Sequence, residues 1–178
     1  MAVKRFRSIW SFGAALALLP AMVSSTATVT VNFQGSFINP TCNFSVNGGN
    51  STNLGTYPNT YFNTSTLTPV VQLPITATGC SAGVVVAHMV FSGTADSSNN
   101  QLFAVNSGSG VAGVGIQLLN NAQTSVIPPG GTLNWTTINP SGSSTYIMWT
   151  RFAKTTGPIT AGTANVPITI NFTYNCRI

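Results

Sequence analysis

The chain has 178 residues, of which only 4% are charged, and a formal net charge of +5. Asp96 is the only acidic residue and His88 the only histidine. This composition excludes catalysis by paired carboxylates and carboxylate-rich metal sites. The basic residues form no cluster beyond the N-terminus, so we expect neither nucleic acid nor an anionic membrane as a partner.

The N-terminus has the three-part order of a secretory signal peptide. Lys4, Arg5 and Arg7 precede an apolar run at 9–23, and small residues follow at 24–27. The order predicts a signal peptide over 1–27, cleaved between Ser25 and Thr28. The apolar run is shorter than the ~20 residues of a membrane-spanning helix. About 150 residues remain, which suits one exported domain with its own core.

From Thr28 onward, apolar and polar residues alternate in short segments, as in half-buried β-strands. Three successive valines at 84–86 predict that one of these strands is buried on both faces. No helical period persists. Strands about ten residues apart predict an all-β sandwich or barrel, and the size suits an immunoglobulin-like sandwich. The predicted strands cover 28–37, 44–46, the region around 54–55, 70–78, 83–92, 102–105, 111–119, 132–138, 144–154 and 166–174.

The first and last predicted strands are the most regular amphipathic segments. Each carries apolar residues at alternate positions, so each has one face that must pack against a partner. Near the N-terminus the apolar residues are Val29, Val31, Phe33 and Phe37, and near the C-terminus they are Val166, Ile168, Ile170, Phe172 and Tyr174.

Two of the three cysteines, Cys42 and Cys80, lie beside predicted strands. Export through an oxidising compartment favours a disulfide between them, which would close a loop of about 39 residues and contribute about 4 kcal/mol. Cys176 is then left over. An odd cysteine in an exported protein indicates a free thiol or an intermolecular bond.

The sequence gives little evidence for a catalytic or metal-binding site. His88 falls inside a predicted strand, which favours a packed or edge histidine over a catalytic or metal-binding one, and no nucleophile motif accompanies it. We predict no enzymatic activity, no metal and no cofactor. Trp135, Tyr146 and Trp149 fit either strand packing or a sugar-stacking surface.

Taken in order, several short motifs make the mature chain resemble the fimbrial (pilus) subunits of the bacterial chaperone–usher pathway, in particular the type 1-like branch. Each motif is short, but their order is specific. They are Gly35 within the first alternating segment, Cys42, Leu54-Gly55, Thr78-Gly79-Cys80, the 91–96 segment FSGTAD, the 114–118 segment VGIQL, the 160–162 turn TAG, and Gly162 and Tyr174 flanking the last strand.

The resemblance implies an immunoglobulin-like sandwich that lacks one strand and is completed by a donor strand from another subunit. Residues 28–39 would be the donor extension and 40–178 the pilin domain. Gly35 would lie where the neighbour's groove is shallow. The donor positions would be Val29, Val31, Phe33, Gly35 and Phe37, and the acceptor groove, which also binds the chaperone, would be formed by Gly162, Val166, Ile168, Ile170, Phe172 and Tyr174.

The implied function is that of a structural subunit of a surface fimbria supporting cell adhesion. Its partners would be a periplasmic chaperone, an outer-membrane usher and neighbouring subunits, and host glycan would be reached through the fibre. The alternative is a minor tip adaptor or adhesin that itself binds host glycan. One departure stands out, because the family's penultimate aromatic is here followed by four residues, 175–178.

Overall fold

The computed structural model describes residues 41–105 and 110–176, which fall within a unit spanning Ile38–Ile178. These residues form nine β-strands and two 3-10 turns, Asn47–Gly49 and Asn59–Asn63. No helix among them is long and apolar enough to cross a membrane. The strands are β1 Asn43–Val46, β2 Val71–Thr78, β3 Val84–Ser92, β4 Phe103–Ala104, β5 Val114–Leu119, β6 Val126–Ile127, β7 Thr132–Trp135, β8 Ser144–Lys154 and β9 Thr169–Cys176.

The strands form two antiparallel sheets. The larger has the order β1-β2-β8-β5-β4, with β6 also paired to β5, and the smaller has the order β7-β3-β9. Strands that follow each other in the chain therefore often lie in different sheets. Strand β9 pairs with β3, which lies about 80 residues earlier in the chain, and the paired residues run from Ser92↔Thr169 to Val84↔Cys176. The all-β immunoglobulin-like prediction is confirmed.

The core lies between the two sheets and follows the alternation in each strand. In β2, Leu73, Ile75 and Ala77 are buried while Gln72 and Thr78 are exposed. The smaller sheet contributes Ala87, Met89 and Phe91 from β3, all with no exposed surface. Because both sheets present one apolar face to the other, their other faces remain available to solvent.

The prediction that the strand at 83–92 is buried on both faces is wrong. Val84 is buried, but Val85 and Val86 are only half-buried, and a register shift lies between Val84 and Val86. The valine run therefore marks a β-bulge, at which one residue has no partner across the ladder. Beyond it, buried and half-buried residues alternate as in any strand with one covered face.

Several predicted boundaries also move, two of them at glycines with a positive φ. Residues near Gly55 form no strand, since Gly55 adopts a φ of 91°. The fifth strand begins at Val114 and not at 111, because Gly113 has a φ of 79° and its backbone approaches that of Pro158. The seventh ends at Trp135, and the last begins at Thr169, three residues later than expected.

Candidate functional site

The two sheets meet along one side at β1 and β9, each of which lies at an edge. β1 is hydrogen-bonded to β2 and β9 to β3, and within the described part of the chain no strand pairs with the other edge of either. The two edges face each other, because Phe44 of β1 contacts Phe172 of β9. We call this gap between β1 and β9 the seam.

Aromatic side chains fill one end of the seam. The rings of Phe44 and Phe172 are stacked, with centroids 4.1 Å apart and planes 6° apart. Tyr174 lies 6.2 Å from Phe44, and Trp135 approaches Phe44 edge-on at 6.4 Å. The contacts join both sheets across the seam by side chains alone, without a backbone ladder.

The five apolar residues predicted for the last strand all face the core side of the seam. Each is half-buried and packs against the buried core, while the alternate residues between them, from Pro167 to Thr173, are exposed. The set comprises Val166, Ile168, Ile170, Phe172 and Tyr174.

Strand pairing with β3 covers only part of this set. Ile170, Phe172 and Tyr174 belong to β9, whereas Val166 and Ile168 lie upstream of the ladder and keep the same alternation without it. The seam therefore presents a continuous apolar row longer than the strand that carries it. Such a row, next to a strand edge with which no other described strand pairs, is suited to receive an added strand.

Gly162 is separate from this apolar row. It is exposed, in a bend between the Ala112↔Thr160 bridge and the start of the alternating segment. Its predicted place in the acceptor groove stays a prediction. The donor positions Val29, Val31, Phe33, Gly35 and Phe37, like the signal peptide, lie outside the described residues.

The predicted disulfide between Cys42 and Cys80 is confirmed. It joins the residue before β1 to a residue just after β2, next to the pair Asn43↔Thr78. At its other end, β1 stops at Val46↔Ile75, and the next residue along β2 is Pro74, which has no N–H to donate. The bridge thus holds a four-residue edge strand that forms one wall of the seam.

The other candidate residues do not converge on a reactive centre. His88 pairs through Nδ1 with Oδ1 of Asn134 at 2.7 Å on the outer face of the smaller sheet. Asp96 accepts hydrogen bonds from the backbone N–H groups of Ser98 and Asn99, which closes a turn. Within the described ranges, no three His, Cys, Asp or Glu side chains gather as metal ligands.

The aromatic residues weighed as a sugar surface separate into different environments. Trp135 is 1% exposed in the core, and Tyr146 packs against it at 5.8 Å. Trp149 is half-buried on the outer face of the larger sheet, where its indole N–H donates to the carbonyl of Asn121. Strand packing therefore accounts for Trp135 and Tyr146, and the three rings form no common platform.

Comparison with known proteins supplies the family. The family model described as "Fimbrial protein" matches residues 26–175. The chain belongs to the fimbrial protein family. It is 32% identical over 168 residues to the type-1 fimbrial protein A chain of Salmonella typhi, a match that covers 91% of this chain and 90% of that protein. It is 30% identical to the type 1 fimbrial subunit of Salmonella typhimurium, with 90% of each chain covered.

Solved structures support the same fold. This fimbrial subunit matches the P pilus rod subunit PapA with a TM-score of 0.62 at 16% identity, over 75% of this chain and 99% of the other. It also matches an antigen and type I fimbria protein of Burkholderia pseudomallei with a TM-score of 0.52 at 28% identity, covering 61% and 70% of the two chains. The predicted resemblance to fimbrial (pilus) subunits is confirmed, and fimbrial proteins are components of surface pili.

Proposed function

We propose that this chain is a structural subunit of a surface fimbria that polymerises by donor-strand exchange and so supports cell adhesion. Residues 28–39 of one subunit would enter the seam of its neighbour and pair with β9. The single observation that supports this most is the continuous half-buried row from Val166 to Tyr174 beside an edge without a partner strand in the described part of the chain.

The chemistry of the two segments is complementary. The extension offers apolar side chains at alternate positions, Val29, Val31 and Phe33, and the seam offers an apolar row with the same period. Main-chain hydrogen bonds to an edge strand give affinity, and alternate side chains set the register. Donor-strand complementation of pilins is one of the recognised forms of this strand addition.

A seam without a donor strand would also account for the other proposed partners. An unpaired edge beside apolar surface promotes aggregation, so the subunit needs cover before it polymerises. A periplasmic chaperone strand would provide that cover, and an outer-membrane usher would exchange it for the next subunit. The subunit would therefore pass through the periplasm to the cell surface.

A peptide test addresses this proposal directly. A variant lacking residues 28–37 should bind a synthetic peptide of residues 28–39, and its melting temperature should rise with peptide concentration. The matched control peptide carries Val31→Ser and Phe33→Ser, which remove apolar contacts at two alternate positions, and should stabilise the variant far less. Equal stabilisation by both peptides, or none by either, would show that the seam does not accept this strand.

A further inference from the structure

We propose that this subunit carries a small binding cleft for a carboxylate-bearing monosaccharide, with the Lys154 ammonium as its anion-binding group. The cleft has a volume of about 260 Å³ and lies between the Asn59–Asn63 turn, the last residue of β8 and the 157–159 loop. None of its lining residues belongs to β1 or β9, so the site does not depend on donor-strand exchange.

Lys154 is a positioned cation, and no described residue places a carboxylate side chain beside its ammonium. Its Nζ donates a hydrogen bond of 3.0 Å to the neutral carbonyl of Phe62, and its backbone N–H donates to Thr66. Asp96 has the only carboxylate side chain in the sequence, and it accepts its hydrogen bonds from Ser98 and Asn99. A lysine ammonium has three donors, so the Phe62 contact leaves capacity for an anion.

The rest of the lining suits a sugar better than a simple anion. Asn59, Thr60 and Asn63 are exposed and line the cleft with neutral amide and hydroxyl groups, which pair with ring hydroxyls. Pro158 and half-buried Ile159 supply an apolar wall for a C–H face. The volume is just below the range typical of drug-sized ligands, which favours a single ring over a longer glycan.

Aromatic contacts hold the Asn59–Asn63 turn beside this cleft. Tyr61 is half-buried, with its ring centroid 5.0 Å from that of Tyr57 and 5.4 Å from that of Phe62. Phe62 is itself 6% exposed and anchors the turn in the domain. The turn is therefore held in place before any ligand binds, and preorganisation of this kind favours binding.

The test is isothermal titration of the full mature chain with glucuronate, N-acetylneuraminate, glucose and acetate. We expect saturable binding of at least one acidic sugar, weaker binding at high salt, and no saturable binding of glucose or acetate. Lys154→Gln should lower the affinity for the acidic sugar by about tenfold or more, as expected for the loss of a hydrogen bond to a charged group. Lys154→Arg, which keeps the charge, should retain most of the affinity.

The matched control is Arg151→Gln, which removes the other described cation of β8. Arg151 donates from Nε to Oε1 of Gln117 at 2.7 Å and does not line the cleft, so binding should be unchanged. If Lys154→Gln lowers the melting temperature, its loss of binding could come from unfolding, so Asn59→Ala and Asn63→Ala then test the site. Both residues are exposed and line the cleft, and each substitution should weaken sugar binding. Equal binding of glucose, or of acetate, would overturn the proposal, as would equal losses with Arg151→Gln and Lys154→Gln.

Discussion

Phe44 and Phe172 stack face to face across the seam, although one belongs to the larger sheet and the other to the smaller. Their rings are nearly parallel, at 6°, with centroids 4.1 Å apart. This contact ties together two edge strands that share no hydrogen-bond ladder in the described region. The two rings hold this end of the seam together. Toward Val166, the apolar row of the last strand continues past the end of the β3–β9 ladder.

The stacked pair should be energetically coupled. Phe172→Ala should lower the free energy of unfolding by about 2 kcal/mol, below the 3–5 kcal/mol of a fully buried phenylalanine because this ring is half-buried. In a double-mutant cycle with Phe44→Ala, the coupling energy should be about 1 kcal/mol. The measurement is urea unfolding of the four proteins with a donor peptide present. Additive losses would mean that the stacking contributes nothing beyond separate burial.

The disulfide should stabilise the domain by restricting the unfolded chain. It spans 38 residues in sequence, so replacing Cys42 and Cys80 together by serine should cost about 4 kcal/mol. Chemical unfolding with and without a reductant measures the loss. The double variant is its own control, because reductant should not change its stability. Peptide mapping without reduction should recover Cys42 joined to Cys80, and free thiols at both would contradict the pairing.

Gly93 follows β3 directly, and its lack of a side chain matters for core packing. A Cβ atom there would lie 2.6 Å from Cδ1 of Phe103, which has no exposed surface. Gly93→Ala should therefore destabilise the domain by about 1–3 kcal/mol through overpacking. Combining it with Phe103→Leu should recover part of that loss, since the smaller side chain makes room. Thermal melting of the single and double variants checks this, and strictly additive losses would disprove the steric cause.

The donor role of the extension can be tested at Gly35. If the extension acts on a neighbour, Gly35→Val should leave folding and chaperone binding unchanged but weaken insertion by about 1–3 kcal/mol, because a branched side chain would overpack the groove. Fibre incorporation should fall and chaperone–subunit complex should accumulate, as measured by electron microscopy and periplasmic fractionation.

Ser36→Val is the matched control, because alternation places residue 36 on the opposite face of the extension. It should polymerise normally. If both variants polymerise normally, or if Gly35→Val does not fold with the chaperone present, Gly35 is not a groove-facing donor residue.

Much of this architecture could be predicted from residue order because a strand's alternation is a local property. The period of two identified the face of Ile170, Phe172 and Tyr174, and that face is the half-buried one. Composition excluded a carboxylate-based active site, and the export of the chain and the position of Cys42 and Cys80 beside predicted strands indicated their bridge. These inferences require only neighbouring residues or general chemistry.

Tertiary structure alone decided which strands are partners and which strand edges have no partner among the described residues. The alternation of β9 does not specify β3 as its neighbour, since register depends on contacts some 80 residues away in sequence. Trp135 and Trp149 both occur in alternating strands, yet Trp135 is in the core and Trp149 is on the outer face. The packing of the two sheets against each other determines which face of each strand is covered. Lys154 and Phe62, 92 residues apart, form the cleft only because β8 ends beside the 59–63 turn, a position that follows from long-range packing of the folded chain and not from local sequence.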